Sequence, residues 1–369
     1  MSILLVLLLG LVKAGVVIGA ILSVVPGLIY LERKICAYVQ GRLGPNRVNL
    51  VVPLGLGPLG GMRLIPGSLQ PLADGIKLAF KEEIIPRDAD KLLWYLGPLV
   101  SFLPVICALA FLPFGTPHWE LFGVNIDLRV APVSIGVLML FAVSSLAIYG
   151  IAVGGWGSGS KYPLMAAVRA SAQMISYEVA MGLAIVAAIA SLGAVDVQEM
   201  VLRQATTDFL GVLPGWLIFS QPLAALIFMV AMFAENNRLP FDLPEAEPEL
   251  VGGYHTEYSG LKFGLFFLGE YAAMCLMCGL FTTLFLGGWS LPWVIDPLST
   301  GTINALLSMA VFGGKVMALL LFQIWIRWTL PRFRYDQLMH LGWKVMVPLA
   351  LANLVVTAFV LTFTGGPAS

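Results

Sequence analysis

The strongest constraint on the fold of this chain is a series of apolar runs, each long enough to cross a lipid bilayer. A membrane-spanning helix needs about 20 mostly apolar residues. The runs that meet this length number eight, at residues 3–31, 92–114, 132–153, 164–192, 214–236, 262–287, 303–328 and 343–364. The sequence therefore predicts an all-α polytopic membrane protein with about eight transmembrane helices.

Composition leaves no room for a soluble domain beside these spans. Hydrophobic residues make up 59% of the 369 residues and charged residues only 11%, whereas a soluble domain carries about 25% charged residues. Residues 1–369 are therefore expected to form a single integral membrane domain. The net charge of zero gives no indication of a nucleic-acid partner.

The distribution of basic residues predicts the orientation. Of the 21 Lys and Arg, 17 lie in or close to the loops that follow spans 1, 3, 5 and 7, at residues 32–91, 154–163, 237–261 and 329–342. The loops on the other side contain only Arg129 and Arg203. By the positive-inside rule the basic loops face the cytoplasm, and both termini face the opposite side. The first run lacks a basic leading region and a cleavage site, so it is interpreted as a retained span.

The third cytoplasmic loop and its borders are unusually acidic. The stretch from Glu235 to Glu270 carries seven of the 21 acidic residues: Glu235, Asp242, Glu245, Glu247, Glu249, Glu257 and Glu270. Neighbouring carboxylates titrate as a coupled set. A solvated acidic loop is the simpler alternative, but the abundance of Phe, Tyr, Leu and Pro in this loop argues against it. The stretch is therefore a candidate entrance for protons.

Ionisable residues inside the predicted spans are a second group of candidates. Glu178 lies near the middle of span 4, Glu270 about two turns into span 6, and Glu235 at the end of span 5. Such residues are costly in a bilayer and are usually functional. A carboxyl group in low dielectric can bind and release a proton near neutral pH, so the series predicts a proton path. Lys13 and Lys315 also lie inside spans, and structural ion pairs between helices are the alternative for all of these charges.

The first cytoplasmic loop has a periodic segment. Leu69, Leu72, Ala73, Ile76 and Phe80 recur at helical spacing, while polar residues occupy the other face, at Gln70, Asp74, Lys77 and Lys81. The pattern predicts an amphipathic helix at the membrane surface, or a helix that only anchors the loop.

Two motifs match patterns for nucleotide or metal binding, but their surroundings argue against both functions. Gly55, Gly57 and Gly60 match GxGxxG, but prolines interrupt the segment and no βαβ unit fits between membrane spans. Cys275 and Cys278 form a lone CxxC without a second pair, which is more typical of small buried side chains than of a metal site. No metal, Fe–S cluster, flavin or nucleotide is therefore expected on this chain.

Several longer motifs resemble one known family in order and in spacing. They are ERK at 32–34, QGRLGPNRV at 40–48, LQPLADGIKLAFKE at 69–82, RASAQMISYEV at 169–179, AENNRLPFDLPEAE at 234–247, the HTEYSG segment at 255–260 and TLPRFRYDQLM at 329–339. From Leu31 to Leu351 the chain resembles the quinone-site membrane subunit of respiratory complex I, the H-subunit family of NADH:quinone oxidoreductase. The segment from Asn49 to Ser68 is longer than is usual in that family.

The resemblance implies a membrane subunit of a proton-pumping NADH:quinone oxidoreductase of a bacterial inner membrane. It forms much of the quinone (ubiquinone-type) tunnel and couples quinone reduction to proton translocation, without redox chemistry of its own. The implied partners are the peripheral-arm quinone-site and Fe–S subunits, small and antiporter-like membrane subunits, and lipid. The implied tunnel residues are Glu32, Arg33 and Asp74, with Arg332 and Arg334 beside the last spans. The implied proton-coupling residues are Glu178, Glu235, Glu270, Glu245, Glu247, Glu249 and Glu257.

Three other functions stay open from the sequence. A stand-alone ion–proton antiporter would transport as a purified chain, although no internal repeat is visible. A homologous subunit of a membrane-bound hydrogenase-type complex would use ferredoxin in place of NADH and quinone. A purely structural anchor for a peripheral arm would tolerate the loss of Glu178 and Glu270.

Overall fold

The computed structural model describes residues 3–48, 51–53, 61–63, 66–121, 124–209, 213–243, 251–292, 294–295, 297 and 299–364. The helices within these residues are α1 (Ile3–Val39), α2 (Gln70–Phe80), α3 (Lys91–Leu109), α4 (Gly136–Gly157), α5 (Lys161–Leu192), α6 (Val197–Thr206), α7 (Leu217–Ser220), α8 (Pro222–Glu235), α9 (Gly260–Phe285), α10 (Thr302–Arg327), α11 (Tyr335–His340) and α12 (Val347–Thr364). A π-helical segment, Leu341–Met346, joins α11 to α12 without a break.

The loops add three short antiparallel hairpins and one 3₁₀ turn at Gly253–His255. The paired strands are β1 (Val51–Pro53) with β2 (Gly61–Arg63), β3 (Trp119–Leu121) with β4 (Val124–Ile126), and β5 (Asp208–Phe209) with β6 (Leu213–Pro214). The glycines of the GxGxxG match, Gly55, Gly57 and Gly60, lie outside the described residues.

The helices confirm the all-α membrane fold. Seven helical stretches among the described residues are long and apolar enough to cross a membrane. The fifth predicted span corresponds to the shorter apolar helix α8, because a separate turn at α7 and Gln221 precedes its first residue, Pro222. Its 14 residues are fewer than the 214–236 run suggested.

The first helix extends further than its apolar run. The predicted loop begins at residue 32, but α1 continues to Val39 and includes Glu32 and Arg33. Residues 28–40 contain neither Gly nor Pro, and the helix ends just before Gly41, which has a φ of 69°. Left-handed glycine is a common helix terminator. Charged residues at the end of α1 are therefore part of the helix bundle.

Helices α3 and α4 are packed very closely through glycine. A Cβ atom on Gly150 would lie 2.1 Å from the backbone nitrogen of Ser101, and one on Gly97 would lie 2.6 Å from the Cα of Gly154. Small residues allow membrane helices to bring their backbones together. The contact builds a rigid pair against which α9 and α5 pack.

The centre of the bundle is α5. It contacts α4, α8 and α12, and it presents many small buried side chains, among them Ala166, Ala170, Ala180 and Ala184. The main core combines α5 with apolar faces of α8 and α9. Because α5 carries Gln173 and Glu178, the core places these two polar residues beside the end of α8.

Helix α9 is displaced along its axis relative to α10. Gln323 Nε2 lies 3.5 Å from Cys278 Sγ, and Lys315 Nζ donates 2.6 Å and 2.9 Å hydrogen bonds to the carbonyl oxygens of Leu286 and Gly288. The chain after α9 is therefore level with the middle of α10. Lys315 also donates to the carbonyl oxygen of Ser290 at 2.7 Å, and its ammonium group lies 4.3 Å from the centre of the Trp216 ring.

Cys275 and Cys278 are buried on α9, as the sequence predicted for this lone CxxC motif.

A cluster of charges closes the end of the bundle that holds the N-terminal half of α1. Arg129 contacts Asp127 at 2.8 Å and Asp196, the N-cap residue of α6, at 2.7 Å. Burial lowers the pKa of Arg129, but the bonds to Asp127 and Asp196 outweigh it and raise the pKa overall. Lys13 Nζ donates to the carbonyl oxygen of Arg129 at 3.3 Å. The position of Lys13 is thus explained by packing between α1 and this loop.

Candidate functional site

Five side chains from four parts of the chain form a buried ionic network at the other end of α1. Arg238 Nη1 lies 3.0 Å from Glu32 Oε1, and Arg238 Nε lies 2.7 Å from Glu270 Oε1. Tyr271 Oη donates to Glu32 Oε2 at 2.5 Å. Arg327 also contacts Glu32 Oε1. The network therefore joins α1, the turn after α8, α9 and the last residue of α10.

The turn after α8 fixes the position of Arg238. Asn237 has a φ of 49°, a left-handed conformation that Asn adopts more readily than most residues. The backbone N–H of Arg238 donates to Phe233 O at 3.2 Å, which ends the helix in the manner of a Schellman motif. From α5, Gln173 Nε2 donates to Ala234 O at 2.9 Å and to Phe241 O at 2.8 Å. The turn is thus fixed by its own backbone hydrogen bond and by the Gln173 side chain of α5.

The charges of the network compensate one another. Arg238 and Glu32 are nearly inaccessible to solvent, with side chains 3% and 6% exposed. Burial alone would lower the pKa of Arg238, but the carboxylates of Glu270 and Glu32 outweigh it and raise that pKa well above its ordinary value. The guanidinium group also lies 4.5 Å from the centre of the Tyr271 ring, a favourable cation–π geometry. Arg238 consequently stays charged in this site.

A cavity of about 410 Å³ opens beside the network. Its polar lining comes from Glu32, Tyr271, Arg327, Arg33 and Arg42, and its apolar lining includes Ile29, Cys36, Phe267 and Trp328. Ligand sites typically combine apolar walls with a few convergent polar groups. The cavity has this mixed character, with the polar groups on the side of the ionic network.

The remaining predicted binding residues form ion pairs around the network. Arg33 contacts Asp74 of α2 at 2.6 Å, which fastens the amphipathic helix to α1 in a partly exposed pair. Arg332 contacts Asp242 at 2.9 Å and joins the chain before α11 to the turn after α8.

Arg334 lies in a different environment. It pairs with Asp336 at 2.6 Å, and its side chain is 76% exposed. The structure therefore brings Glu32 and Arg33 to the cavity and places Arg332 next to the network, whereas Arg334 lies on the surface.

Two of the predicted proton-coupling residues form a second group near the end of α8. Glu235 is the last residue of α8 and is 7% exposed. Glu178 of α5 lies close enough for the two carboxylate charges to repel each other. Glu270 instead belongs to the ionic network through Arg238. Since Glu235 and Arg238 are three residues apart, the two groups are adjacent in the fold.

The acidic loop is described only in part. Glu245, Glu247 and Glu249 lie outside the described residues. Glu257 lines a second cavity of about 420 Å³ together with Arg87 and Lys161. This part of the loop is anchored by Tyr258, whose hydroxyl donates to Gly154 O at 3.0 Å and whose ring stacks on Trp94 with 3.9 Å between centroids.

The sequence did not identify three members of the network. Arg238 was visible only as a basic residue in an acidic stretch, Tyr271 only as the neighbour of Glu270, and Arg327 only as one of the positive charges beside a span. Their spacing along the chain carries no periodic signal. The one available clue was that a buried carboxylate such as Glu270 requires a cation nearby.

Comparison with known proteins gives a consistent result over nearly the whole chain. The family model described as NADH dehydrogenase matches residues 12–358. The chain is 46% identical to an NADH-quinone oxidoreductase H subunit (the one numbered 1) of Geobacter metallireducens, over 95% of this chain and 96% of that protein. It is 45% identical to the NADH-quinone oxidoreductase H subunit of Syntrophotalea carbinolica, over 98% and 99% of the two chains. It is 44% identical to NADH-quinone oxidoreductase subunit 8 of Rhodothermus marinus, over 94% and 95%. The chain therefore belongs to the NADH dehydrogenase family, within its group of NADH-quinone oxidoreductase H subunits.

Proposed function

We propose that this chain is the membrane subunit of a proton-translocating NADH:quinone oxidoreductase in which the cavity beside Glu32 forms part of the quinone tunnel. The observation that carries the proposal is the buried network of Glu32, Arg238, Glu270, Tyr271 and Arg327 on the wall of that cavity. It combines a polar, positively charged wall for a quinone ring with a carboxylate series that leads into the bundle.

The quinone supplies the change of charge, and the electrons come from another subunit. A ring that gains electrons becomes a base and a stronger hydrogen-bond acceptor. A unit charge about 4 Å from a network residue interacts by about 4 kcal/mol at an effective dielectric near 20. This energy is comparable with the free energy lost when a buried ion pair is broken. Reduction therefore pulls Arg327 and Arg33 toward the ring and weakens their hold on Glu32 and Asp74.

The network then passes this change inward. Arg238 contacts both Glu32 and Glu270, so a shift of Glu32 alters the compensation of Glu270. Arg238 is also connected to Glu235 through the two intervening residues of the turn, and Glu235 interacts with Glu178. Proton uptake or release at Glu235 and Glu178 is the step that couples the cavity to the membrane. The acidic loop with Glu245, Glu247, Glu249 and Glu257 supplies the protons.

The orientation and the partners follow from the same proposal. The arginine-rich loops face the cytoplasm of a bacterial cell, and the peripheral Fe–S and quinone-site subunits dock there and close the cavity. The side opposite these loops holds both termini. Other small and antiporter-like subunits contact the exposed apolar faces of the spans, together with lipid.

The relay is tested with Glu178→Gln and Glu235→Gln variants of the assembled complex in liposomes. Glutamine keeps the shape and the hydrogen-bonding capacity but cannot carry the proton. We expect quinone reduction to slow and the number of protons moved per electron to fall. Glu199→Gln is the matched control, because Glu199 is partly exposed on α6 and pairs only with Arg203 in the described structure. A wild-type pumping ratio and rate in both variants would overturn the relay.

The cavity is tested separately with a photoreactive quinone analogue on the same complex. Label on the segment from Ile29 to Cys36, or on Phe267 and Tyr271, supports the tunnel. Label confined to other parts of this chain, or to other subunits, contradicts it.

A further inference from the structure

Lys262 is a buried cation that has no part in the steps proposed above. It is the third residue of α9, and it is only 7% exposed. Its ammonium group lies 2.7 Å from Glu83 Oε2, in the loop that follows α2, and 3.9 Å from the centre of the Tyr95 ring on α3. A carboxylate and an aromatic face together hold an ammonium group in one position. The start of α9 is therefore attached to α3 and to the loop after α2.

Two further contacts support this attachment. The backbone N–H of Ile84 donates to Ser259 Oγ at 3.4 Å. Gly260 has a φ of 60°, and a Cβ atom on it would lie 3.3 Å from the carbonyl oxygen of Lys81. The first turn of α9 and the residues just beyond α2 thus lie directly against each other.

The other end of α2 is attached to α1. Arg33 Nη1 lies 2.6 Å from Asp74 Oδ2 in the first half of α2. Just ahead of α2, the carbonyl oxygen of Pro66 accepts a 2.9 Å hydrogen bond from the Tyr30 hydroxyl of α1. Because α2 also packs against both α1 and α9, it connects these two helices.

The helices that α2 connects are two walls of the cavity beside Glu32. The lining includes Ile29 and Cys36 from α1 and Phe267 and Tyr271 from α9. Phe267 and Tyr271 follow Lys262 by five and nine residues, which places them about 140° and about 180° around the helix from it. Lys262 consequently holds the face of α9 that is turned away from the cavity.

We propose that Lys262 is a positioning residue for the quinone cavity, and that α2 is a brace that sets the separation of α1 and α9. The brace is fastened at one end by the Arg33–Asp74 pair and at the other by the Lys262–Glu83 pair. The inference rests on the proposed function, since it names what keeps the cavity at the width of its ligand. Lys262 itself is not part of the lining. Its loss releases the start of α9, and the wall on that helix moves away from α1.

The first experiment is a kinetic comparison of Lys262→Met with the wild-type complex. Met keeps the unbranched stem and removes the charge, and Glu83 can be hydrated because its side chain is 38% exposed, so no buried charge is left alone. We expect the KM for a quinone analogue to rise about tenfold, with kcat and the proton-to-electron ratio near the wild-type values. Lys262→Arg keeps the cation and should keep the wild-type KM. A loss of active complex with an unchanged KM would show a role in stability only and would overturn the proposal.

The ion pair is tested with Glu83→Gln and with the double variant. If Lys262 acts through Glu83, Glu83→Gln raises KM in the same direction, and the double variant is no worse than Lys262→Met. Lys77→Met is the matched control, because Lys77 is an exposed lysine of α2 without an ion-pair partner among the described residues. Single effects that multiply in the double variant would overturn the role of the pair.

Cys36 reports on the width of the cavity without any quinone. It is a free, buried cysteine in the lining, and separation of the two walls exposes it. N-ethylmaleimide should therefore modify Cys36 several times faster in the Lys262→Met complex than in the wild-type or Lys77→Met complex, as measured on the peptide that contains this residue. Equal rates in all three complexes would overturn the brace.

Failure of the brace and failure of the proposed function give different results. If Lys262→Met keeps the wild-type KM and the wild-type rate at Cys36 while the photoreactive analogue labels the cavity, the tunnel stands and the brace is wrong. If the rate at Cys36 rises but the analogue labels only other sites, the brace stands and the proposed function is wrong. Should Lys262→Met not assemble, Glu83→Gln decides through the same two measurements, because it changes a partly exposed side chain.

Discussion

Arg238 Nε lies 2.7 Å from Glu270 Oε1, although the arginine is the third residue beyond the end of α8 and the glutamate is in the third turn of α9. The pair is almost fully withdrawn from solvent. Breaking a buried ion pair by removing one partner is much more damaging than replacing both, because it leaves an uncompensated charge.

Replacement of Arg238 by Gln is therefore expected to destabilise the protein by about 3–5 kcal/mol. It leaves Arg327 and Tyr271 as the described partners of Glu32 and removes the guanidinium group that contacts Glu270. Thermal unfolding of the purified complex, followed by loss of this chain, measures the effect. Arg334→Gln removes an exposed arginine from the same side of the bundle and should leave the unfolding temperature unchanged. Equal behaviour of the two variants would mean that the network contributes nothing to stability.

Replacement of Tyr271 by Phe isolates one hydrogen bond. The ring remains beside Arg238, but Glu32 Oε2 loses its hydroxyl donor. Hydrogen bonds to charged groups contribute about 1.5–3 kcal/mol, and we expect a loss of stability in this range together with weaker quinone-analogue binding.

The control for this variant is Tyr95→Phe. Tyr95 contacts Lys262 through its ring, 3.9 Å from the ammonium group, so the loss of its hydroxyl should have little effect. A Tyr271→Phe enzyme with unchanged melting temperature and unchanged analogue affinity would show that Glu32 does not depend on this donor.

The stability of the loop before α9 should depend on pH through His255. Burial lowers the pKa of His255 to about 4, while in the unfolded chain a histidine titrates near 6.5. Below about pH 6.5 the unfolded state binds a proton that the folded state rejects. The stabilising contribution is therefore complete above the unfolded pKa and is lost progressively as the pH falls toward 4.

This pH dependence is measured as the melting temperature at neutral and mildly acidic pH. His255→Phe keeps an aromatic ring against Tyr254 and Phe263 and should reduce the difference between the two temperatures. His340→Gln, at an exposed position, should not. A His255→Phe protein with the full wild-type acid sensitivity would contradict the assignment.

Replacement of Gly150 by Ala should disrupt the α3–α4 pair. The new methyl group would lie 2.1 Å from Ser101 N and 2.5 Å from Ser101 Cα, which are backbone atoms that cannot rotate away. Overpacking of this kind costs about 1–3 kcal/mol or more. Gly313→Ala is the comparison, because a Cβ at this position meets no described atom within 4 Å apart from its chain neighbours and the backbone of its own helix. Similar yields and melting temperatures for the two variants would show that the helices can separate without cost.

The helices were predictable from sequence because the bilayer imposes a simple length rule on apolar runs. The residues at which the helices begin and end were less predictable. The ERK motif was assigned to a loop because it is charged, yet α1 continues through it, since the absence of Gly and Pro keeps the helix intact until Gly41. The fifth run looked long enough to span, but Gln221 and Pro222 separate a short turn from α8.

The candidate site could be predicted from the sequence only in part. Glu32, Glu235, Glu178 and Glu270 could be selected singly, because a carboxylate in apolar sequence is costly and needs a reason. The grouping of these carboxylates could not be predicted, because Glu32 and Glu270 are far apart in the chain and are joined by Arg238 from a third segment. Tertiary contacts between helices leave no periodic trace, and so Tyr271 and Arg327 were found only in the fold.

The bonds from Lys315 to the carbonyls after α9 have a consequence for how deep the site lies. Leu286 and Gly288 are level with the midpoint of α10, and a helix that ends inside a bilayer requires a donor for its last carbonyl oxygens. Lys315 is that donor. Because α9 stops early at one face, its other end overshoots Arg327 by about 14 residues, or roughly 20 Å. One ammonium group level with the middle of α10 thus allows α9 to continue past Arg327 and to carry Glu270 and Tyr271 beyond the end of α10.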